Sequence, residues 1–167
     1  SGKTLVIVKL IQLSNHLIKA ELIPQCPILF LAHQEQLINQ LAHHVTEYNV
    51  SHSDQYIELV NLRTNADALS GDLFSHDKIR VYTYRSDLIS DGEKDNQINY
   101  ENYLNNGKWY IILDEAHKGA SDSIRQTYYN IMSQNGFLFN FSATFTDDID
   151  HATTCYEYNL SSFIKNG

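Results

Sequence analysis

Trp109-Tyr110-Ile111-Ile112-Leu113-Asp114-Glu115-Ala116-His117 sets five large apolar or aromatic residues directly before two acids and a histidine. An unbroken apolar run of this length predicts a strand buried on both faces, as in a parallel sheet. Ligands of open parallel sheets bind beyond the carboxyl ends of the strands, so Asp114 and Glu115 are expected at a ligand site. A divalent cation would relieve the repulsion between these carboxylates, and Mg²⁺ with a phosphorylated substrate is the commonest such arrangement. The plainer alternative is a strand that ends in an acid before a turn, and the motif alone would favour it.

The chain opens with Ser1-Gly2-Lys3-Thr4 and continues with apolar residues at helical spacing. We predict a well-buried helix of about four turns, closed by prolines 24 and 27. Its predicted buried stripe is Val6, Leu10, Leu13 and Leu17, with Ile7, Ile11 and Ile18 beside it.

Gly2-Lys3-Thr4 at a helix start matches the tail of the phosphate-binding loop G-x-x-x-x-G-K-[ST]. In that loop the backbone N–H groups and the lysine hold phosphates, and the hydroxyl binds Mg²⁺. The loop's first glycine and feeding strand are not in the sequence, so either the sequence begins inside the loop or the match is accidental. A solvated lysine in a frayed terminus is the better explanation for three matching residues taken alone.

Short apolar runs alternate with amphipathic segments through the rest of the chain. Further strands are predicted at 27–31, 56–60, 79–83, 137–141 and 154–160, and helices at 32–48, 66–74 and 121–136. This alternation is typical of βαβ units, and it predicts an α/β three-layer sandwich with a mainly parallel central sheet.

Two of these strands end in polar residues that are candidates for a site. Thr83 could contact a nucleic-acid phosphate with help from Arg85, although a strand-end threonine in a turn is about equally expected. Ser142 and Thr144 directly follow the strand at 137–141, which again places hydroxyls at the ligand edge.

Composition and charge limit the classes of function. The 167 residues are 43% hydrophobic, which suits a single folded domain, and the net charge is -8 with only 12 lysines and arginines. This balance argues against a domain that acts mainly as a basic clamp on nucleic acid. Two cysteines without metal-ligand spacing suit a reducing cytosol, and no apolar run approaches the length of a membrane span. We therefore expect a cytoplasmic protein that does not enter the membrane.

Four motifs occur in one order, and together they resemble the first RecA-like domain of superfamily-two DEAD/DEAH helicases. They are Gly2-Lys3-Thr4, the segment Ala32-His33-Gln34-Glu35-Gln36-Leu37, Asp114-Glu115-Ala116-His117 and Ser142-Ala143-Thr144, with Thr83-Tyr84-Arg85-Ser86 similar to a Thr-Tyr-Gln-Ser element between them. The wording around the last two motifs is similar to the helicase (Res) subunit of type III restriction enzymes. The resemblance covers essentially the whole chain.

The resemblance implies a role for each matching residue. Gly2, Lys3 and Thr4 would bind ATP, Thr4 and Asp114 would hold Mg²⁺, and Glu115 would orient and deprotonate the attacking water. His117 would link the nucleotide site to Ser142 and Thr144, which would couple hydrolysis to movement on nucleic acid. Gln34, Thr83 and Arg85 would contact nucleic acid, with DNA favoured over RNA. The partners implied are a second RecA-like domain and a methylation or specificity subunit.

The sequence departs from the family pattern in two ways. Gln34 and Glu35 stand where the family often has a basic residue, which with the acidic net charge weakens the expectation of strong nucleic-acid binding. We also expect a truncated domain: 1–150 as the RecA-like domain, starting inside the phosphate loop, and 151–167 as a terminal strand and linker towards a second domain. That second domain would supply arginine fingers, so the chain alone is expected to hydrolyse ATP very slowly or not at all.

Two other functions remain open on the sequence. One is a P-loop NTPase that does not act on nucleic acid, and the Ser-Ala-Thr motif argues against it. The other is a non-catalytic binding module, which the incomplete phosphate loop would suit.

Overall fold

A computed structural model of the chain describes residues 2–69, 72–75, 77–85, 109–114 and 137–141. The helices are α1 (Gly2–Lys19) and α2 (Glu35–Ser51), with 3₁₀ turns at Ser53–Gln55 and Ala66–Leu69. The strands are β1 (Ile28–Ala32), β2 (Ile57–Asn61), β3 (Ile79–Arg85), β4 (Tyr110–Asp114) and β5 (Phe137–Phe141). Among the described residues, no helix is both long enough and apolar enough to cross a membrane.

The five strands form one sheet in the order β2-β3-β1-β4-β5, and every neighbouring pair is parallel. The central strand β1 pairs with β3 on one side and with β4 on the other, and all five of its residues are buried. Because all strands run the same way, their carboxyl ends meet at one edge. The structure thus confirms the predicted α/β fold with a parallel sheet.

Both described helices cover the same face of the sheet. Alternate residues of β1, β3 and β4 pack with α1 and α2 in one apolar core: Ile28, Phe30, Ala32, Ile79, Val81, Tyr110 and Ile112. The opposite face carries Leu29, Leu31, Ile111 and Leu113, and these are buried as well. The sheet is therefore buried on both sides, as the apolar runs predicted, and the helix predicted at 121–136 lies outside the described residues.

The buried stripe of α1 differs from the predicted one. Thr4, Ile7, Val8, Ile11 and Ser14 face the sheet, whereas Val6 and Leu13 from the predicted stripe are 54% and 52% exposed. Large apolar residues surround this helix on nearly all sides, so their spacing does not choose a face. Two small hydroxyl residues complete the inward face instead, and the prediction of Val6 and Leu13 as core residues is wrong.

Two predicted helices have different bounds in the structure. Ala32 is the last residue of β1, paired with Arg85, so α2 begins at Glu35 rather than at residue 32. The helix predicted at 66–74 is only a 3₁₀ turn at Ala66–Leu69. After it, the Asp72 carboxylate accepts a hydrogen bond from the Phe74 N–H at 3.0 Å, and the Tyr82 hydroxyl donates to the Leu73 carbonyl at 2.9 Å. These bonds hold a turn, because they use backbone groups that a helix would need.

The remaining predicted elements and the second domain segment cannot be compared with the structure. The strand predicted at 154–160 and the segment 151–167 lie outside the described residues. The predicted site residues Glu115, His117, Ser142 and Thr144 lie outside them too.

Candidate functional site

An ion pair joins the start of α1 to the end of β4. The Lys3 Nζ lies 2.8 Å from the Asp114 Oδ1, and the side chains are 29% and 6% exposed, respectively. The lysine and the carboxylate were both predicted as site residues from separate motifs that lie 111 positions apart, since 114 − 3 = 111. The fold brings these two motifs into direct contact.

Asp114 is held at the carboxyl edge by the pairing of β4. It is the last residue of that strand and pairs with Phe141, the last residue of β5. One row earlier, Leu113 pairs with Leu31 of β1. A carboxylate that is nearly buried among such strand ends must have a compensating charge or several hydrogen bonds, because burial of an unpaired charge is costly. Lys3 supplies that charge in this structure.

The amino terminus of α1 suits an anion. The helix is 18 residues long and has no acidic side chain in its first turn, so its unpaired N–H groups and its dipole favour negative charge there. Gly2 is exposed, and a Cβ added to it would meet no atom within 4 Å. The space in front of this turn is open, and Lys3 is at its rim.

The donor set next to Lys3 fits Mg²⁺. Thr4 lies in the same first turn of α1 and is buried, and Asp114 adds a carboxylate. Within the described ranges, no group of three or more histidine, cysteine, aspartate or glutamate side chains is placed to hold a metal. Mg²⁺ usually binds proteins through one or two carboxylates together with waters and substrate phosphates, rather than in a complete protein cage. One carboxylate and one hydroxyl therefore match the needs of a phosphate-bound Mg²⁺.

The predicted nucleic-acid residues occupy the ends of neighbouring elements. Arg85 is the last residue of β3 and is partly buried, level with Ala32 at the end of β1. Gln34 is exposed at the residue preceding α2, where its backbone is extended and its side chain makes no capping bond. Both residues thus lie at the carboxyl edge of the sheet.

Thr83 has a different environment from the one expected of a strand-end residue. The strand continues for two residues beyond it, and Thr83 is 1% exposed on the helix-covered face. Its carbonyl accepts a hydrogen bond from the Leu62 N–H at 3.0 Å. The prediction that β3 ends at Thr83 is wrong, because two further residues pair with β1.

One polar cluster at this edge was not predicted from the sequence. The Asn61 amide donates to the Glu35 Oε1 at 3.3 Å, which ties the end of β2 to the start of α2. The Asn61 Oδ1 also accepts from the Arg63 N–H at 3.0 Å, as in a local asparagine turn. Asn61 followed by a polar turn was the available signal, but no spacing rule relates it to Glu35, which lies 26 residues earlier.

Comparison with protein families matches residues 1–147 to the model described as type III restriction enzyme, res subunit. The match includes every described strand and helix and all of the predicted site residues. No curated protein and no solved structure matches the chain.

Proposed function

The chain belongs to the type III restriction enzyme res subunit family, and we propose that it is the ATP-binding motor domain of a nucleic-acid helicase or translocase. The family is of the helicase type and binds ATP. The finer assignment, a motor in a restriction or other DNA-processing system, rests on the motifs and on their arrangement. The observation that carries it is the contact between Lys3 and Asp114 at the carboxyl edge of the sheet.

The residues of the site would share the work of phosphoryl transfer as follows. Lys3 and the first turn of α1 would bind the β- and γ-phosphates, while Thr4 and Asp114 would hold Mg²⁺. The bound Mg²⁺ would neutralise charge that develops on the phosphate oxygens. Glu115 follows Asp114 directly in the chain and would orient the attacking water and take its proton. Catalysis of this kind consists mostly of positioning and charge stabilisation, which suits a site with few reactive groups.

Coupling to nucleic acid is the next part of the proposal. His117 would connect the nucleotide site to Ser142 and Thr144, which follow the adjacent strand β5. Gln34 and Arg85 would contact the sugar-phosphate backbone from the ends of β1 and β3, and Thr83 would act through its buried place in β3. DNA is favoured over RNA, and a methylation or specificity subunit is the proposed further partner.

Hydrolysis by this chain alone should be slow. Arginine fingers contribute about 10³–10⁵ in rate in related P-loop enzymes, and here they would come from a second RecA-like domain. Taking about 10 s⁻¹ as an ordinary turnover, we expect less than about 0.01 s⁻¹ for the 167-residue chain, measured as phosphate release with Mg²⁺ and ATP. The variant Glu115→Gln is the background control. A turnover of several per second for the unaltered chain would contradict the need for a second domain.

Binding of nucleic acid distinguishes this proposal from an NTPase with another purpose. Anisotropy titrations with single-stranded DNA, double-stranded DNA and RNA, each with Mg²⁺ and a non-hydrolysable ATP analogue, should show weak binding that salt reduces further. The acidic net charge of -8 is the reason to expect weak binding. If no nucleic acid binds even at about 50 mM salt, the NTPase reading without nucleic acid is preferred.

A further inference from the structure

We propose that the Lys3–Asp114 ion pair is an internal lock that makes the cation and the triphosphate bind together. The inference rests on the proposed function, since it concerns the same nucleotide site. Each partner of the pair is the residue that one of the two ligands needs. In the ligand-free chain the two residues satisfy each other at 2.8 Å.

Asp114 holds Lys3 because it cannot remain alone. Its side chain is 6% exposed, so water reaches little of the carboxylate, and an unpaired charge there is strongly disfavoured. Lys3 is 29% exposed, so its ammonium group keeps some contact with water and is the more easily moved of the two. Opening of the pair therefore depends on what replaces the ammonium group beside Asp114.

Neither ligand opens the pair well by itself. A divalent cation that bound Asp114 alone would displace the Lys3 ammonium group and leave it close by, where the two positive charges repel each other. A triphosphate that drew Lys3 away would leave Asp114 uncompensated beside further negative charge. When both ligands arrive, the cation compensates Asp114 and the phosphates compensate Lys3. The two binding events are therefore positively coupled, and such coupling is reciprocal and is typically worth about 5–150-fold in affinity.

The cation arm of the test uses Mn²⁺ alone, without nucleotide, and free Mn²⁺ is followed by electron paramagnetic resonance. Lys3→Met and the more conservative Lys3→Gln should each bind Mn²⁺ about tenfold more tightly than the unaltered chain, because the competing ammonium group is gone. Adding Asp114→Asn to Lys3→Gln should abolish that gain. Lys9→Met removes an exposed lysine from the same helix and is the matched control, which should leave Mn²⁺ affinity unchanged.

The nucleotide arm uses ATP in excess EDTA, so that no divalent cation is present. Asp114→Asn should bind this metal-free ATP about tenfold more tightly than the unaltered chain, since Lys3 is released to the phosphates. If the pair only stabilised the fold, the same variant would bind ATP equally well or less well. Far-UV circular dichroism confirms that each variant is folded, and Lys3→Gln and Asp114→Asn are the substitutions least disruptive to shape.

The two arms decide the inference separately from the function. Tighter binding in both arms supports the lock, and unchanged or weaker binding in either arm overturns it. The proposed function is tested by the unaltered chain with Mg²⁺ and ATP together. Binding there without tighter binding in the variants would reject the lock and retain the function.

Discussion

Tyr110 shows how a single buried side chain gives the fold a dependence on pH. Its residue is 1% exposed on the helix-covered face of β4, and its hydroxyl donates to the Pro24 carbonyl at 2.5 Å. Burial raises the pKa of Tyr110 to about 12, with further contributions from the charge of Cys26 and its hydrogen bond. The folded state thus holds this proton in a range where the unfolded chain has already lost it.

The sign of the pH effect follows from that difference. Below pH 10 both states are protonated and stability is complete, whereas between pH 10 and about 12 only the unfolded state ionises. The free energy of unfolding therefore falls as pH rises through this range. At 1.4 kcal/mol for each pKa unit, Tyr110 accounts for about 3 kcal/mol of the fall.

Tyr110→Phe should change this pH dependence in a specific way. At pH 7 we expect the variant to be about 1 kcal/mol less stable, because it loses the bond to Pro24. That deficit should shrink or reverse between pH 10 and 12 in denaturant titrations. Tyr56→Phe, at a tyrosine that is 43% exposed, is the control and should follow the unaltered chain. A constant deficit for Tyr110→Phe at every pH would contradict the prediction.

At the level of single residues, the sequence predicted Asp114 well and Thr83 poorly. Asp114 is preceded by an apolar run and ends its strand, as the motif indicated. Thr83 sits within an alternating pattern whose end the sequence does not mark, and the register of β3 against β1 decides that Arg85 is at the edge. The local pattern says that a strand exists, but pairing with a distant strand says where it stops.

The end of α1 contains an element with stored backbone strain. Glu21 has a φ of 58°, and the Leu22 N–H donates to the Leu17 carbonyl while the Glu21 N–H donates to the Ile18 carbonyl, both at 3.0 Å. This is the Schellman pattern, in which the left-handed position is usually glycine. A residue with a Cβ pays about 1–2 kcal/mol to occupy that conformation.

Glu21→Gly should therefore be more stable than Glu21→Ala by about 0.5–1 kcal/mol, after allowance for the greater freedom of glycine in the unfolded chain. The alanine variant is the matched control, because it also removes a negative charge that is unfavourable at a helix C-terminus. Thermal or denaturant unfolding measures the difference. Equal stability of the two variants would show that the charge, and not the backbone, is the cause.

The side chain of Asn49 joins α2 to the start of β2. Its amide group donates to the Ile57 carbonyl at 2.8 Å, and its oxygen accepts from the Ile57 N–H at 2.8 Å. Ile57 is buried, so the loss of this side chain would leave a donor and an acceptor in a place with little water.

Asn49→Ala is expected to lower the free energy of unfolding by about 1–3 kcal/mol, which is the cost of buried polar groups without partners. Thr46→Ala, on the same helix, removes an exposed hydroxyl that bonds only the Ala42 carbonyl of its own helix. Because alanine is also a better helix former than threonine, that control should be neutral or slightly stabilising. Equal losses in both variants would contradict the role given to Asn49.

At the level of elements, the sequence predicted all five described strands, within one or two residues for most of their ends. Their apolar runs are short and bounded by polar residues, which leaves little ambiguity. The face of α1 was not predictable, because apolar side chains cover most of that helix and the sheet selects the one with Thr4 and Ser14. The turn at residues 72–75 depends on bonds from Arg80 and Tyr82, which no local pattern reveals.

At the scale of the whole molecule, the parallel sheet explains why the site can be built from distant motifs. Residues at strand ends are collected at one edge, and the start of α1 is brought to the end of β4, where Lys3 contacts Asp114. The order of the motifs in the sequence predicted this edge, but not the direct contact between these two side chains. That contact depends on the height at which α1 packs on the sheet.

The central claim is that this edge is a nucleotide site, and equilibrium binding of Mg²⁺ and ATP tests it most directly. Calorimetric titration of the unaltered chain should show binding of Mg²⁺–ATP that is much stronger than binding of AMP under the same conditions, because Lys3 and the first turn of α1 recognise the terminal phosphates. Asp114→Asn should lose the strengthening that Mg²⁺ gives to ATP binding. Equal responses to ATP and AMP, or an unaltered Mg²⁺ dependence in Asp114→Asn, would contradict the account.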